Sequence, residues 1–251
     1  MDRRSFIKGL AAAAACAASC RARFAHAIGE RSRLSIAALA QGGRLEPRPT
    51  ALRRLLFEVG RRTSIAAAFE PARVDLASPD LFLHPFLFWS GAAGFDPIPE
   101  RDVLRLRRYI SAGGFLLADS AQENGDDFID SVKREMRRAF PVLPVQPLPP
   151  EHVVYKSFYM LRGATGRVQK SDRLEGITVD ERTAIVLSTN DLGGAWARDN
   201  LGNWEHMVIP GGEAQRELAF RLGTNIVMYA LCVDYKDDQV HIPFVLKRRK
   251  R

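Results

Sequence analysis

The sequence predicts an α/β fold, a three-layer sandwich on a mostly parallel central sheet, from three observations. Between Asp80 and Arg134 an apolar run ending at Gly91 is followed by a helical stretch, a second apolar run from Phe115 to Ser120, and a second helical stretch. That alternation is the signature of a parallel α/β unit. Both runs are nearly continuous in apolar residues, so their strands should be covered on both faces. Both end in small polar residues, Ser90-Gly91 and Asp119-Ser120, and open α/β sheets bind ligands outside the carboxyl ends of their strands.

The elements follow in order. Arg33 to Ala40 reads as a first strand, and Gly42-Gly43 turns the chain. Thr50 to Arg62 reads as a helix with Leu52, Leu55, Leu56 and Val59 on one face and Thr50 as its N-cap. A short strand is expected near Val74. In the run that follows, Pro85 cannot donate to a ladder, so regular pairing begins at Phe86 or the strand has a free edge there. The helix from about Pro99 to Ala112 carries Glu100 and Asp102 early and Arg105, Arg107 and Arg108 late, matching the helix dipole. Its arginines read as a solvated face, and Val103, Leu106 and Ile110 face the sheet. The helix from about Asp126 to Phe140 buries Phe128, Ile129, Val132, Met136 and Phe140.

Five prolines between Pro141 and Pro150 make a rigid extended connection, too short to separate two domains. Phe158 to Leu161 is a short helix or strand. Gly176 to Val179 and Thr183 to Ser188 are strand-like around a turn at Asp180-Glu181, and Ala195 to Pro210 reads as a loop. A long helix is expected from Glu213 to Cys232, with Leu218, Leu222, Ile226 and Tyr229 inward, then an edge strand from Val240 to Leu246.

Charge and termini bear on the cellular address. The net charge of +8 is carried by the ends: residues 1–27 hold +4 and Lys247 to Arg251 hold +5, leaving the body near neutral. A nucleic-acid footprint on the fold is therefore not supported. Arg3-Arg4, Phe6 and Lys8, followed by an Ala-rich run too short to span a bilayer, resemble a twin-arginine signal, with Ala25-His26-Ala27 as the cleavage site. The alternatives are a retained anchor, a chance Arg-Arg pair, or lipidation at Cys20, whose preceding Ala17-Ala18-Ser19 is a poor lipoprotein box. The expected organisation is a signal peptide over 1–27, one α/β domain over 28–246 and a basic tail over 247–251. The expected address is the periplasm, reached through the twin-arginine translocase, with no permanent transmembrane helix. Of three cysteines only Cys232 follows the signal, so no internal disulfide can form, and Cys232 reads as a buried small hydrophobe.

Pro85 to Gly91, the phrase from Leu106 to Asp119, Asn190 to Gly193 and Phe220 to Ile226 together resemble the bacterial domain-of-unknown-function family numbered 4159, over roughly Leu34 to Leu231. The resemblance implies a class I glutamine-amidotransferase-like, flavodoxin-related sandwich and attaches no activity to it. The chain departs from the family pattern at His84, where an aromatic is usual, and at Ser120, where a second acid is common. The second departure weakens any carboxylate-pair mechanism.

The chemistry-bearing residues do not compose a known catalytic signature. An amidotransferase needs a cysteine on a strand-to-helix elbow, and none stands at a strand end after the signal. Ser90 and Ser120 stand at strand ends but outside a Gly-x-Ser-x-Gly elbow, and a serine hydrolase would need His84, His152 or His206 beside one of them. No metal ligand set, phosphate loop or dinucleotide fingerprint is present, so no cofactor is expected. The candidate ligand-binding residues are Ser90, Gly91, Asp119, Ser120, Asn124, Asn190 and Asp191, polar ends that a doubly wound order would bring together. The competing explanation is that they cap the following helices. Trp89 and Trp196 line a pocket or belong to the core. Two functions remain: an exported non-catalytic module binding a small polar ligand or a periplasmic protein, or a hydrolase or amidotransferase-like enzyme without the usual cysteine.

Replacing the arginine pair (Arg3→Lys with Arg4→Lys) should stop export, and the exported protein should begin at Ile28. Cell fractionation and N-terminal sequencing check this. Normal periplasmic levels of the double variant, or a lipidated N-terminus at Cys20, would contradict it.

Overall fold

Seven strands form one sheet in the order β2-β1-β3-β4-β7-β6-β5. The computed structural model describes residues 33–41 and 46–248, and side chains through 231. The expected signal segment, the expected turn at Gly42-Gly43, the Cys232 side chain and the last residues of the basic tail lie outside that description. The strands are β1 (Ile36–Leu39), β2 (Ala72–Val74), β3 (Phe86–Gly91), β4 (Phe115–Ser120), β5 (Gln146–Pro147), β6 (Glu175–Val179) and β7 (Arg182–Ser188). β2, β1, β3, β4 and β7 run parallel, while β6 and β5 are antiparallel additions at one side.

Helices cover both faces, as the continuous apolar runs require. Helix α1 (Ala51–Arg62), the five-residue α4 (Leu192–Trp196) and α5 (Gly212–Arg248) pack on the face that carries Phe86, Phe88, Leu117 and Val186. Helices α2 (Glu100–Ser111) and α3 (Asp127–Ala139) pack on the face that carries Leu87, Trp89, Leu116 and Leu187. Successive strand residues point to opposite faces, so Ser90, Asp119 and Ser188 continue the rows toward α1, α4 and α5.

Pairing of β3 begins at Phe86, against Ile36 and Phe115. Pro85 thus sits just outside the ladder, where its missing N–H costs nothing. The residues before it form a 3₁₀ turn, Pro79–Leu83, capped by Ser78. β6 and β7 are joined by a two-residue turn in which Asp180 and Glu181 both have positive φ, the mirror-image turn that suits strand twist.

Several elements differ from the sequence expectation. β1 is confined to Ile36–Leu39, because Leu34 makes only an isolated bridge to Ala67. Thr50 does not cap α1 with its side chain; its hydroxyl instead donates to Glu205 (2.7 Å). Phe158 to Leu161 is neither helix nor strand: the Phe158 and Tyr159 N–H groups donate to the buried Asn225 carboxamide of α5. β5 and α4 were not expected. Two residues of strand and five of helix are too short for a periodic pattern. Leu218 is 42% exposed, and Ala219 takes the inward place beside Leu222 and Ile226. Residues 240–246 continue α5 and form no edge strand. A helix satisfies its backbone within the segment, whereas a strand there would need a free sheet edge within reach.

Phe86, Phe88, Leu116 and Leu117 are all buried in the two central strands. Phe88 also packs its ring 6.0 Å from that of Trp196. Phe88→Ala should therefore cost about 3–5 kcal/mol in urea denaturation, as large-to-small core changes do. A loss below about 1 kcal/mol would be that of an exposed site.

Candidate functional site

The carboxyl ends of the parallel strands carry a buried polar row. Ser90, Asp119 and Ser188 are register partners across β3, β4 and β7, each at most 6% exposed. Apolar runs drive these strands into the core, and the polar residues that end them arrive buried.

Asp119 is committed to the start of α4. Its carboxylate accepts the N–H of Leu192 (2.9 Å) and of Gly193 (2.8 Å). Asp191, the N-cap residue at φ 54°, accepts the Gly194 N–H (2.8 Å) with its side chain and the Ala195 N–H (3.2 Å) with its carbonyl. The N–H groups of Leu192, Gly193 and Gly194, which the helix start leaves without internal partners, are thus satisfied, and the Ala195 bond is the first within α4. A Cβ at position 194 would lie 2.3 Å from the Asp191 carboxylate, so glycine is required there by close approach.

Two arginines hold Asp191 in turn. Arg48 grips it through Nε (3.1 Å) and Nη2 (2.8 Å), and Arg167 donates to it through Nε. Arg48 also meets His206 Nε2 at 3.0 Å. The guanidinium must donate, so this histidine nitrogen accepts and the ring is neutral. Burial, with the Arg48 charge, holds the His206 pKa below its ordinary value. For Asp119, burial first and the neighbouring Asp191 charge second push the carboxyl up to about 7, against the opposing pull of the two amides.

Ser90 is different. Its Oγ is buried and has no hydrogen-bond partner among the described residues. It lines a cleft of about 130 Å³ shared by Leu39, Leu52, Ala72 and Phe88 with the charged Glu46, Arg48 and Arg73. The chain leaves β1 for β2 on one side and crosses back to β3 on the other. The cleft therefore lies where the strand order reverses, the place where open α/β sheets hold ligands.

The remaining expected site residues take structural places. A Cβ at Gly91 would lie 2.2 Å from the Phe128 ring. Ser120 Oγ accepts the Gln122 N–H. Asn124 is exposed on the loop beyond β4. Asn190 spends its carboxamide on Lys170 and Ser171, accepting both N–H groups and donating to the Ser171 carbonyl. Ser90 and Asp119 are thus brought side by side, while Asn190 is engaged with the 170–171 segment. Capping of the following helix applies to Asp191 alone: α3 is capped by Gln122, which accepts the Phe128 N–H. Trp89 and Trp196 are core, with their indole N–H groups on the carbonyls of Gln41 and Ala219. His84 pairs with Ser35 and His152 with Thr183, so no histidine is bonded to Ser90 or Ser120 among the described residues. Among those residues, too, no group of three or more acidic, histidine or cysteine side chains is placed to hold a metal, and no helix is long and apolar enough to cross a membrane.

Sequence reasoning missed Arg48 and Arg167. Arg48 did carry a signal: it stands between Pro47 and Pro49, which stiffen the backbone that presents it.

Both oxygens of the Asp119 carboxyl accept a backbone N–H, and an asparagine keeps only one of these acceptors. Asp119→Asn should therefore cost about 1–3 kcal/mol at pH 5 for the one buried N–H it leaves unpaired, whereas Asp119→Ala strands both at about 1–3 kcal/mol each. A carboxyl whose folded pKa stands near 7, above the unfolded value of about 3.9, stabilises fully below pH 4 and loses that contribution as pH rises toward 7. Urea denaturation from pH 4 to 8 should show this decline in the wild type and not in Asp119→Asn. Equal pH slopes in both would refute the assignment.

No curated protein matches the chain. A family model, Domain of unknown function (DUF4159), matches residues 35–231, which span β1 through the core-packed part of α5. The chain belongs to the DUF4159 family of domains of unknown function.

Proposed function

We propose that this chain is an exported, non-catalytic binding module of flavodoxin-like, class I glutamine-amidotransferase-like architecture, working in the periplasm after twin-arginine export. Its site is the cleft at the strand-order reversal. The observation that carries this reading is Ser90: a buried hydroxyl without a partner, among the walls of a cleft, at the position where such sheets bind ligands. A buried polar group left unpaired costs free energy, and a ligand that accepts its hydrogen bond offsets that cost. The strand order β2-β1-β3-β4 supports the flavodoxin-like classification, and the twin-arginine pattern at Arg3-Arg4 supports export.

The cleft favours a small polar molecule with one apolar side, or the tip of a partner's loop. At about 130 Å³ it is below the roughly 300–1,000 Å³ of drug-sized sites. Its walls are mostly apolar, with the charged Glu46, Arg48 and Arg73 beside the Ser90 hydroxyl, and match a ligand that offers an acceptor to that hydroxyl. The hydrolase reading is less favoured, because the neighbouring Asp119 is occupied by α4 and the histidines have other partners.

A ligand-observed NMR screen of small carbonyl- and hydroxyl-bearing fragments tests the site. Ser90→Ala removes an unpaired buried hydroxyl, so stability should hold within about 0.5 kcal/mol or rise. Binding of the fragments that compete for the cleft should weaken about tenfold, the loss of roughly 1.4 kcal/mol. Hits that bind Ser90→Ala as well as wild type would remove Ser90 from the site.

A further inference from the structure

A second cleft, of about 420 Å³, lies on the outer side of α1 between that helix, Phe69-Glu70 and the 198–202 loop. Its size falls in the range of small-molecule sites, and its walls combine two features that seldom stand exposed together. Phe57 is 44% and Phe69 70% exposed. Around them stand the guanidinium groups of Arg53, Arg54 and Arg198. Arg54 lies over the Phe57 ring at 4.8 Å, and Arg198 over Trp204 at 4.6 Å, so both present flat cationic surfaces held by aromatic stacking.

Positive charge in this cleft is incompletely neutralised. Glu58 is shared among Arg54, Arg61 and Arg62. Glu70 pairs with Arg53 at 3.1 Å. Asp199 spends its carboxylate on its own turn, accepting the N–H groups of Leu201 and Asn203. Arg198 donates from Nε to the Gly202 carbonyl and pairs with no carboxylate among the described residues. Arg54 Nε is buried and has no acceptor among the described residues. Burial, and then the charges of Arg198, Arg61 and Arg62, work against the Arg54 cation; an anion in the cleft would relieve that repulsion.

We propose that this cleft is a second binding site, separate from the Ser90 cleft, that takes a small planar aromatic carboxylate. The ring packs against Phe57 and Phe69, where aromatic surfaces prefer offset or edge-on contact. The carboxylate meets the Nη groups of Arg198, whose Nε is held by Gly202, within the positive field of Arg54. Glu70 and Asp199 at the walls repel a polyanion, so a ligand with one negative charge fits better than an acidic peptide.

Isothermal titration of the full chain with 2-naphthoate, and with 2-naphthamide as its neutral isostere, tests the proposal. Naphthoate should bind one saturable site at least tenfold more tightly than the amide. Phe69→Ser, at an exposed position, should weaken naphthoate at least fivefold, and so should Arg198→Gln. Met160→Ser, at an exposed apolar residue that lines neither cleft, should leave it unchanged. Absence of saturable naphthoate binding, equal affinity for acid and amide, undiminished binding to Phe69→Ser, or an equal loss in Met160→Ser would each overturn the site. Should Arg198→Gln alter the circular dichroism of the fold, Phe69→Ser decides.

Discussion

The carboxyl edge of this sheet depends on one buried interaction, the capping of α4 by Asp119 and Asp191. Three backbone N–H groups at the start of α4 would each cost free energy if left unpaired in the interior. The two side chains satisfy all three, those of Leu192 and Gly193 on Asp119 and that of Gly194 on Asp191. Two carboxylates so close repel, and Arg48 and Arg167 neutralise Asp191. The arrangement joins the end of β4, the end of β7, the loop carrying Arg48 and the segment carrying Arg167. Its members come from positions up to 143 residues apart in sequence. Removing one partner would leave an uncompensated charge or donor in the interior, the expensive way to break such a cluster.

This economy shapes the function. Most polar residues at the strand ends are consumed in holding the edge together. Asp119 serves α4, Ser120 and Ser188 turn the chain through the N–H groups of Gln122 and Asn190, and Asn190 anchors the 170–171 segment. Among the described residues the Ser90 hydroxyl, beside the reversal in strand order, has no partner. Arg48 belongs to both the ion-paired cluster and the cleft wall. A ligand in the cleft would therefore press on the same arginine that neutralises Asp191.

Much of the fold was legible in sequence. Strands β3 and β4 announced themselves as continuous apolar runs, and α1, α2 and α3 by apolar residues at helical spacing. The core positions named from that spacing are buried, with Leu218 the exception. The candidate site was legible in part. Ser90 and Asp119 were expected together at the strand ends and are adjacent in register. The share of these residues claimed by structure was not legible, because a residue that caps a helix 73 positions away has the same local sequence as one that awaits a ligand. Arg48 and Arg167 were missed for the same reason: a surface arginine and one bridging a buried carboxylate read alike until the partner's place is known.

The sequence by itself determined the layers and their order: apolar periodicity dictates which segments become strands and helices, and the α/β alternation dictates a parallel sheet. It also placed polar residues at the strand ends, because strand length and chain polarity are local properties. Tertiary structure alone decided what those residues do. The five-residue α4 is too short to signal its presence, and it exists because Asp119 and Asp191 meet its N–H groups in a place shielded from water. Which hydroxyl is left without a partner, and which cleft it lines, depends on how every neighbouring donor and acceptor is paired. That pairing is a property of the packed molecule, settled by distances between groups that the chain keeps far apart.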